Sequence, residues 1–269
     1  MKVEKKILII VLVIILIALV SGIIYVKRNP TIAVVCYHNI ATAEEKEKFP
    51  DEKDWIITVD NFEEHLKYLK NHGYKTLTTE EFYNWKQGKI DLPYKSILIT
   101  FDDGFLSNAH YAFPLLKKYN MNATVFVIGE FIDNSKETGW TGNVKTYMSK
   151  EVLEKVKEEY PNIEICSHSY GLHKDGAIEQ SVEILKDDVK KFNTSIKETD
   201  VYCYPFGKFN DNMIQALIEE KIKMAFIYGP TKKEYRKASR EDDNYIIPRL
   251  NTSHGMEVWK MALRLLLPF

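Results

Sequence analysis

The chain has 269 residues, with 37 lysines and arginines against 38 aspartates and glutamates and a formal net charge of −1. That balance excludes the broad basic field a nucleic-acid-binding domain relies on. Three cysteines cannot all pair, and none has C-x-x-C or zinc-finger spacing, so neither a thiolate metal framework nor a disulfide scaffold is expected.

The first predicted element is residues 7–26, a run of 20 residues without a charge, flanked by Lys5-Lys6 and Lys27-Arg28. That length spans a bilayer as an α-helix. A cleaved signal peptide would have a shorter apolar run and a small-x-small site, and neither such a site nor a lipobox cysteine precedes Lys27. The expectation is an uncleaved single-pass anchor, with residues 1–6 as a short cytoplasmic tail and 27–269 as one domain beyond it. Lys2, Lys5 and Lys6 less Glu4 give +2 before the span, and Lys27 with Arg28 give +2 after it, so charge alone leaves the topology open. About 240 residues remain, near the size of an eight-unit barrel.

Beyond the anchor, strands and helices alternate. Residues 32–36 read as a buried strand leading to His38, which either lies near the site or is buried and satisfied by backbone, the second being the expectation. The Glu- and Lys-rich stretch 41–54 reads as an exposed insertion, either solvated or bordering a groove. Asp60-Asn61-Phe62-Glu63 reads as a capping box opening a helix with Phe62, Leu66 and Leu69 on one face and a stop at Gly73. Residues 74–77 form a strand, and Thr78 with Glu81 opens a helix carrying Phe82 and Trp85. Residues 107–119 form a helix that Pro114 kinks or restarts. A strand at 123–128, a long helix at 178–196, a helix at 211–220 and a strand at 223–228 follow. No role is indicated for His65, His72 or His110, which sit in or at the ends of helical stretches. No internal repeat or low-complexity tract interrupts the pattern.

Two segments carry the chemistry. Ser96–Gly104, S-I-L-I-T-F-D-D-G, is a strand-length apolar run ending in two carboxylates and a glycine. Such runs belong to parallel sheets covered on both faces, and open α/β enzymes place their chemistry at the C-terminal ends of these strands. Asp102 and Asp103 are therefore site candidates, the alternative being a solvated Asp-Gly turn. The second strand, 163–167, runs into His168-Ser169-Tyr170-Gly171-Leu172-His173. Two histidines and an aspartate can supply three ligands to a divalent metal and leave a position open for water. Histidines five apart fall on poorly matched faces of a helix, whereas a loop through Gly171 turns both inward. Cys36 and Cys166 each precede a histidine by two and Cys203 precedes Pro205 by two, which places all three thiols on strands as buried groups.

T-F-D-D-G, then H-S-Y-G-L-H, then Y-C-Y-P-F-G at 202–207 resemble the successive motifs of the polysaccharide deacetylases, carbohydrate esterase family four. Y-H-N-I at 37–40, the D-N-F-E-E-H-L-K-Y-L-K-N-H-G-Y segment and F-P-L-L-K-K-Y-N-M-N-A-T-V-F-V-I-G extend the resemblance from about Thr31 to the C-terminus. The resemblance implies an α/β fold, an irregular (β/α) barrel of seven to eight units, and metal-dependent removal of acetyl groups from glycans. It assigns Asp102 as general base and Asp103, His168 and His173 as ligands of one divalent ion, zinc first, with cobalt, nickel, iron or manganese as alternatives. The five-residue histidine spacing is similar to that of enzymes acting on poly-N-acetylglucosamine. Y-C-Y-P-F-G lacks the arginine that usually opens this motif, and Arg249 is the candidate to replace it in orienting the base. Tyr204, Pro205 and Phe206 would contact substrate, with the Phe206 N–H facing the oxyanion. His254 would protonate the departing amine, or else Asp102 would return its proton. Tyr170 and Tyr204 offer stacking surfaces or belong to the core. The implied setting is the outside of the cell membrane, with a lipid bilayer and an extracellular polysaccharide, poly-N-acetylglucosamine or peptidoglycan, as partners of a monomer. An O-acetyl esterase or an inactive glycan-binding protein remains an alternative.

Overall fold

The computed structural model describes residues 2–28, 31–228, 236–252 and 255–267. Lys2–Arg28 is helical (α1). Among the described residues, no helix is long and apolar enough to cross a membrane. The side chains at 2–4, 18, 19 and 22–28 of α1 lie outside the described residues, and with them part of the segment expected to be an anchor.

Short runs of β-branched and aromatic residues then form parallel strands joined by helices. β1 (Ala33–Tyr37) is followed by β2 (Asn39–Ala41), α2 (Ala43–Lys48), β3 (Ile56–Thr58) and α3 (Val59–Asn71). The stretch read as an exposed insertion therefore contains α2, whose Thr42–Glu45 capping box is complete and which buries no residue. β2 and β3 pair in parallel around it. Thr58 caps α3 by accepting from the Asn61 N–H, so the helix starts before the Asp60 box read from sequence. The end of β3 fixes that start. β4 (Lys75–Thr76) leads to α4 (Thr79–Lys86), where Thr78 and Glu81 do form the expected capping box.

β5 (Ser96–Phe101) is buried along its whole length. A π-turn at Asn108–Ala112 runs into α5 (Phe113–Tyr119), with Pro114 in its first turn, so the proline restarts the helix. β6 (Ala123–Val127), α6 (Gly129–Asn134), α7 (Lys150–Glu159), β7 (Ile163–Ser167), α8 (Val182–Ser195), β8 (Val201–Cys203), α9 (Asp211–Glu219), β9 (Met224–Phe226), β10 (Leu250–Asn251) and α10 (Val258–Leu266) complete the described chain.

The strand order is β10-β1-β5-β6-β7-β8-β9, all parallel, with β4 lying beside the first half of β5. This is a half-barrel of parallel strands. Its two edges approach at the segment before β10, where Ile247 bridges Phe226 while Leu250 pairs with Val35. Period-2 alternation sorts the core. Val35, Ile97, Ile99, Val125 and Ile165 face the helical layer with Phe62, Leu66 and Phe113. Val34, Leu98, Phe126, Cys166 and Phe226 face inward, where Phe82 and Trp85 of α4 pack among them. Continuing each inward row past the strand end, through Cys36, Thr100 and Cys166, delivers His38, Asp102 and His168 to one mouth.

His65 of α3 is fully buried, one ring nitrogen 2.9 Å from the Tyr37 hydroxyl and the other 2.9 Å from the Met256 carbonyl. Burial pushes its pKa down to about 4, against the weaker upward pull of the Met256 bond. The unfolded chain therefore takes up a proton near pH 6.5 that the native state refuses until about pH 4. Stability is complete above that window and falls as the pH drops through it, by up to about 3 kcal/mol. Urea melts between pH 7 and 4 should show this slope, and His65→Gln should flatten it. Parallel slopes for the two proteins would refute the assignment.

Candidate active site

The mouth at the C-terminal ends of β1, β5, β7 and β8 holds two juxtaposed groups. In the first, Asp103 adopts a left-handed backbone, φ +71°, which a short polar side chain tolerates and which turns it away from the strand row. Its Oδ1 lies 3.4 Å from Nε2 of His168 and 3.4 Å from Nε2 of His173. The His168 Nδ1 lies 2.9 Å from the Cys203 carbonyl, a contact that makes Nδ1 the donor and turns Nε2 towards Asp103. Burial opposes ionisation of Asp103, but its bond to His168 and the nearby imidazoles hold its carboxyl below its ordinary value. Burial, with His168 alongside, pushes His173 down to about 4, so its imidazole is neutral at pH 7.

This donor set fits a divalent cation. Ligand atoms about 2.1 Å from a tetrahedral zinc lie about 3.4 Å apart, which is the separation found between the carboxylate oxygen and each imidazole nitrogen. All three donor atoms lie within 4.8 Å of one another.

The second group is Asp102 and Arg249. The guanidinium is 1 % exposed and donates to both carboxylate oxygens at 2.7 Å. Its Nε donates to the Ile227 carbonyl at 3.0 Å, and one terminal nitrogen lies 3.3 Å from the Thr100 hydroxyl. Burial raises the Asp102 carboxyl, yet Arg249, with His168 and His38, outweighs it and holds Asp102 well below the usual carboxylate range. Cys36 and Cys203 lie against the same carboxylate, at 3.4 and 3.9 Å. All three cysteines are free and buried, as expected, although Cys166 sits one step below the mouth.

The sequence pattern of the polysaccharide deacetylases matches residues 89–225. The chain belongs to that family. It is 30 % identical over 213 residues to the poly-beta-1,6-N-acetyl-D-glucosamine N-deacetylase of Staphylococcus epidermidis, a match covering 75 % of this chain and 70 % of that protein. The enzyme of the same description from Staphylococcus aureus is 27 % identical over 248 residues, covering 83 % of this chain and 79 % of the other. Among solved structures, the Streptococcus pyogenes deacetylase PplD in complex with acetate superposes with a TM-score of 0.74 at 20 % identity, covering 88 % of this chain and 99 % of that one. That likeness establishes the shared fold.

In this deacetylase the two groups open into a cleft of about 350 Å³. Tyr204 and Phe206 line it, and Pro205 is buried between them. Phe206 has φ +56° and is 47 % exposed, with its ring 4.3 Å from His173. Gly207, φ +67°, lets the Tyr228 backbone approach, since a Cβ there would fall on the Tyr228 carbonyl. His254, expected as the acid, lies outside the described residues.

The reading of His38 as a backbone-satisfied core histidine is corrected. Its Nε2 lies 4.0 Å from Asp102, its ring packs 4.8 Å from Trp55 and 5.6 Å from Tyr228, and it lines the cleft. Trp55, Tyr228, Tyr147 and Phe105 also line the cleft without having been singled out in the sequence. Trp55 follows the insertion read as a possible groove border, and Glu52 of that insertion does border the cleft, paired with Lys145 at 3.0 Å. Tyr170 is turned away, its hydroxyl on Asp133 at 2.8 Å. His72 and His110 do not line the cleft.

Proposed function

We propose that the protein is a metal-dependent deacetylase that removes N-acetyl groups from poly-N-acetylglucosamine or a similar N-acetylglucosamine glycan of the biofilm matrix or cell wall. The observation that carries this reading is the juxtaposition of the Asp103, His168 and His173 donor set with an arginine-held carboxylate at one cleft. The names of the staphylococcal relatives and the five-residue histidine spacing support this substrate class.

Asp103, His168 and His173 would hold one divalent ion, zinc most readily, and when bound it supplies Lewis acidity to a water and to the acetyl carbonyl. Asp102 accepts a proton from the attacking water. Its carboxylate stays ionised at neutral pH because Arg249 engages both oxygens, and the same two bonds fix which lone pair faces the cleft. Phe206 lines the cleft, and its N–H would donate to the oxyanion that develops on the acetyl group. Expulsion of the sugar amine requires a proton, since an amide anion is a very poor leaving group. His254 supplies it, or Asp102 returns the one it took. Trp55, 39 % exposed, and Phe206 offer apolar faces to pyranose rings on either side of the reacting acetamide. Residues 7–26 would hold the enzyme in the cell membrane as a monomer with its cleft outside the cytoplasm, where such polymers lie.

The test is acetate release from N-acetylglucosamine oligomers by the full chain in detergent. Chelation should lower the rate at least about 100-fold, and stoichiometric zinc or cobalt should restore it. His173→Ala should bind the ion weakly and resist restoration. Undiminished release in excess chelator would sink the metal reading. A folded, metal-loaded protein that binds the oligomers but releases no acetate would sink the deacetylase reading.

A further inference from the structure

His168 and His173 are held by different means. His168 directly follows β7, its backbone N–H donates to the Val127 carbonyl at 3.0 Å, and its ring is fixed by the Cys203 carbonyl. His173 stands at the far end of a loop that would cost roughly 1–2 kcal/mol of backbone entropy per residue to order. That loop is gripped from two sides. Both oxygens of Asp188, on α8, accept backbone N–H groups, Oδ2 from Tyr170 at 2.8 Å and Oδ1 from Gly171 at 2.7 Å. On the other side, the N–H groups of Gly129 and Glu130 donate to the carbonyls of Ser169 and Tyr170 at 3.0 and 2.7 Å. Ser169, buried and at φ +68°, makes the reversal that lets consecutive N–H groups converge on one carboxylate. Gly129 admits no side chain, since a Cβ would lie 2.6 Å from Cδ2 of Tyr170.

We propose that Asp188 is a positioning residue for the metal centre, a carboxylate that presets the 169–171 turn so that His173 reaches Asp103 before any ion arrives. The inference rests on the metal reading given above. Asp188 touches neither the donor atoms nor the cleft, so it acts only through the backbone that carries His173. The buried Leu172, packed among residues of α8 and α9, continues the same support up to the ligand itself. The clamp offsets the ordering entropy in advance, and the ion gains the difference as affinity.

The experiment uses the full chain in detergent, with Zn(II) affinity measured by chelator competition and the ligand field by Co(II) visible absorption. Asp188→Asn keeps the shape but puts an N–H donor opposite one of the two backbone N–H groups. It should weaken Zn(II) binding 10- to 100-fold and alter the Co(II) bands, with the KM for oligomers unchanged at saturating metal. Gly129→Ala pushes the same turn from the opposite side and should weaken the metal likewise. Asp133→Asn, which removes the charge that partners the Tyr170 phenol and Lys150 but leaves the backbone bonds of the turn alone, should leave affinity and spectrum as in the wild type. Lowered melting temperatures with unchanged Zn(II) affinity and Co(II) bands in both clamp variants would overturn the proposal and make Asp188 merely structural. His168→Ala separates the two readings. If it binds Zn(II) as the wild type does, the trio is not the metal site and the proposal falls with it. If it loses the ion while Asp188→Asn keeps full affinity, the clamp proposal alone is wrong.

Discussion

Asp102→Asn should lower acetate release by about 10³- to 10⁴-fold while leaving the divalent ion bound, because the amide cannot accept a proton although it fills the same space. The ligand set is untouched by the change. Asp103 meets both histidines through its own Oδ1, and the left-handed turn that directs it is a backbone property. Metal affinity by chelator competition, measured beside acetate release, therefore separates this variant from any ligand variant, in which both quantities fall. Retention of a tenth of the wild-type rate would show that Asp102 is not the base.

Arg249→Met should damage stability, rate and pH dependence together. The guanidinium is buried and holds both Asp102 oxygens, so its loss strands an uncompensated carboxylate, a change that typically costs about 3–5 kcal/mol. Burial then acts on Asp102 without its main opponent, and the carboxyl shifts up from its present low range. The acid limb of kcat/KM, which reports the ionised base, should move to higher pH by more than about one unit. The sign carries over to folding. A raised native carboxyl contributes stability at low pH and loses it as the pH rises, so the deficit against wild type should be largest near neutrality and should shrink towards pH 4. Arg249→Lys, which keeps the charge but not the two-pronged grip, should fall between the two proteins. An unshifted acid limb in Arg249→Met would mean that the pair does not set the state of the base.

What the sequence disclosed follows from the range of the forces involved. The strand at 96–101, the capping box at Thr78 and Glu81 and the restart at Pro114 are local, and each stands where local chemistry puts it. The start of α3 was misplaced by two residues because Thr58, Asp60 and Asn61 all make acceptable caps. The choice among them falls to the β2–β3 pairing, which no local window contains. The i, i+2 spacing of Cys36 with His38 already put both on one strand face. What makes His38 part of the cleft is its packing against Trp55 and Tyr228, rings that arrive from separate loops. Arg249 stands 147 residues from Asp102, and only the register of Val35 against Leu250 brings the two together. The Asp188 clamp left no signal at all, since an aspartate in an amphipathic helix is ordinarily a solvated one.

The segment that carries Arg249 into β10 also dates the site. The donor set is complete once residues 102–173 and the next strand have paired, whereas the grip on Asp102 waits for β10 to lie against β1. Thr252 closes that junction by donating to the Cys36 carbonyl across 216 positions of sequence. In a chain that emerges from its N-terminus, the proposed metal ligands would thus be assembled well before the proposed base is aligned. On the proposed mechanism, competence would wait for residues 249–252, and a chain broken off before residue 249 would carry the ligands of the ion without the residue that readies the base.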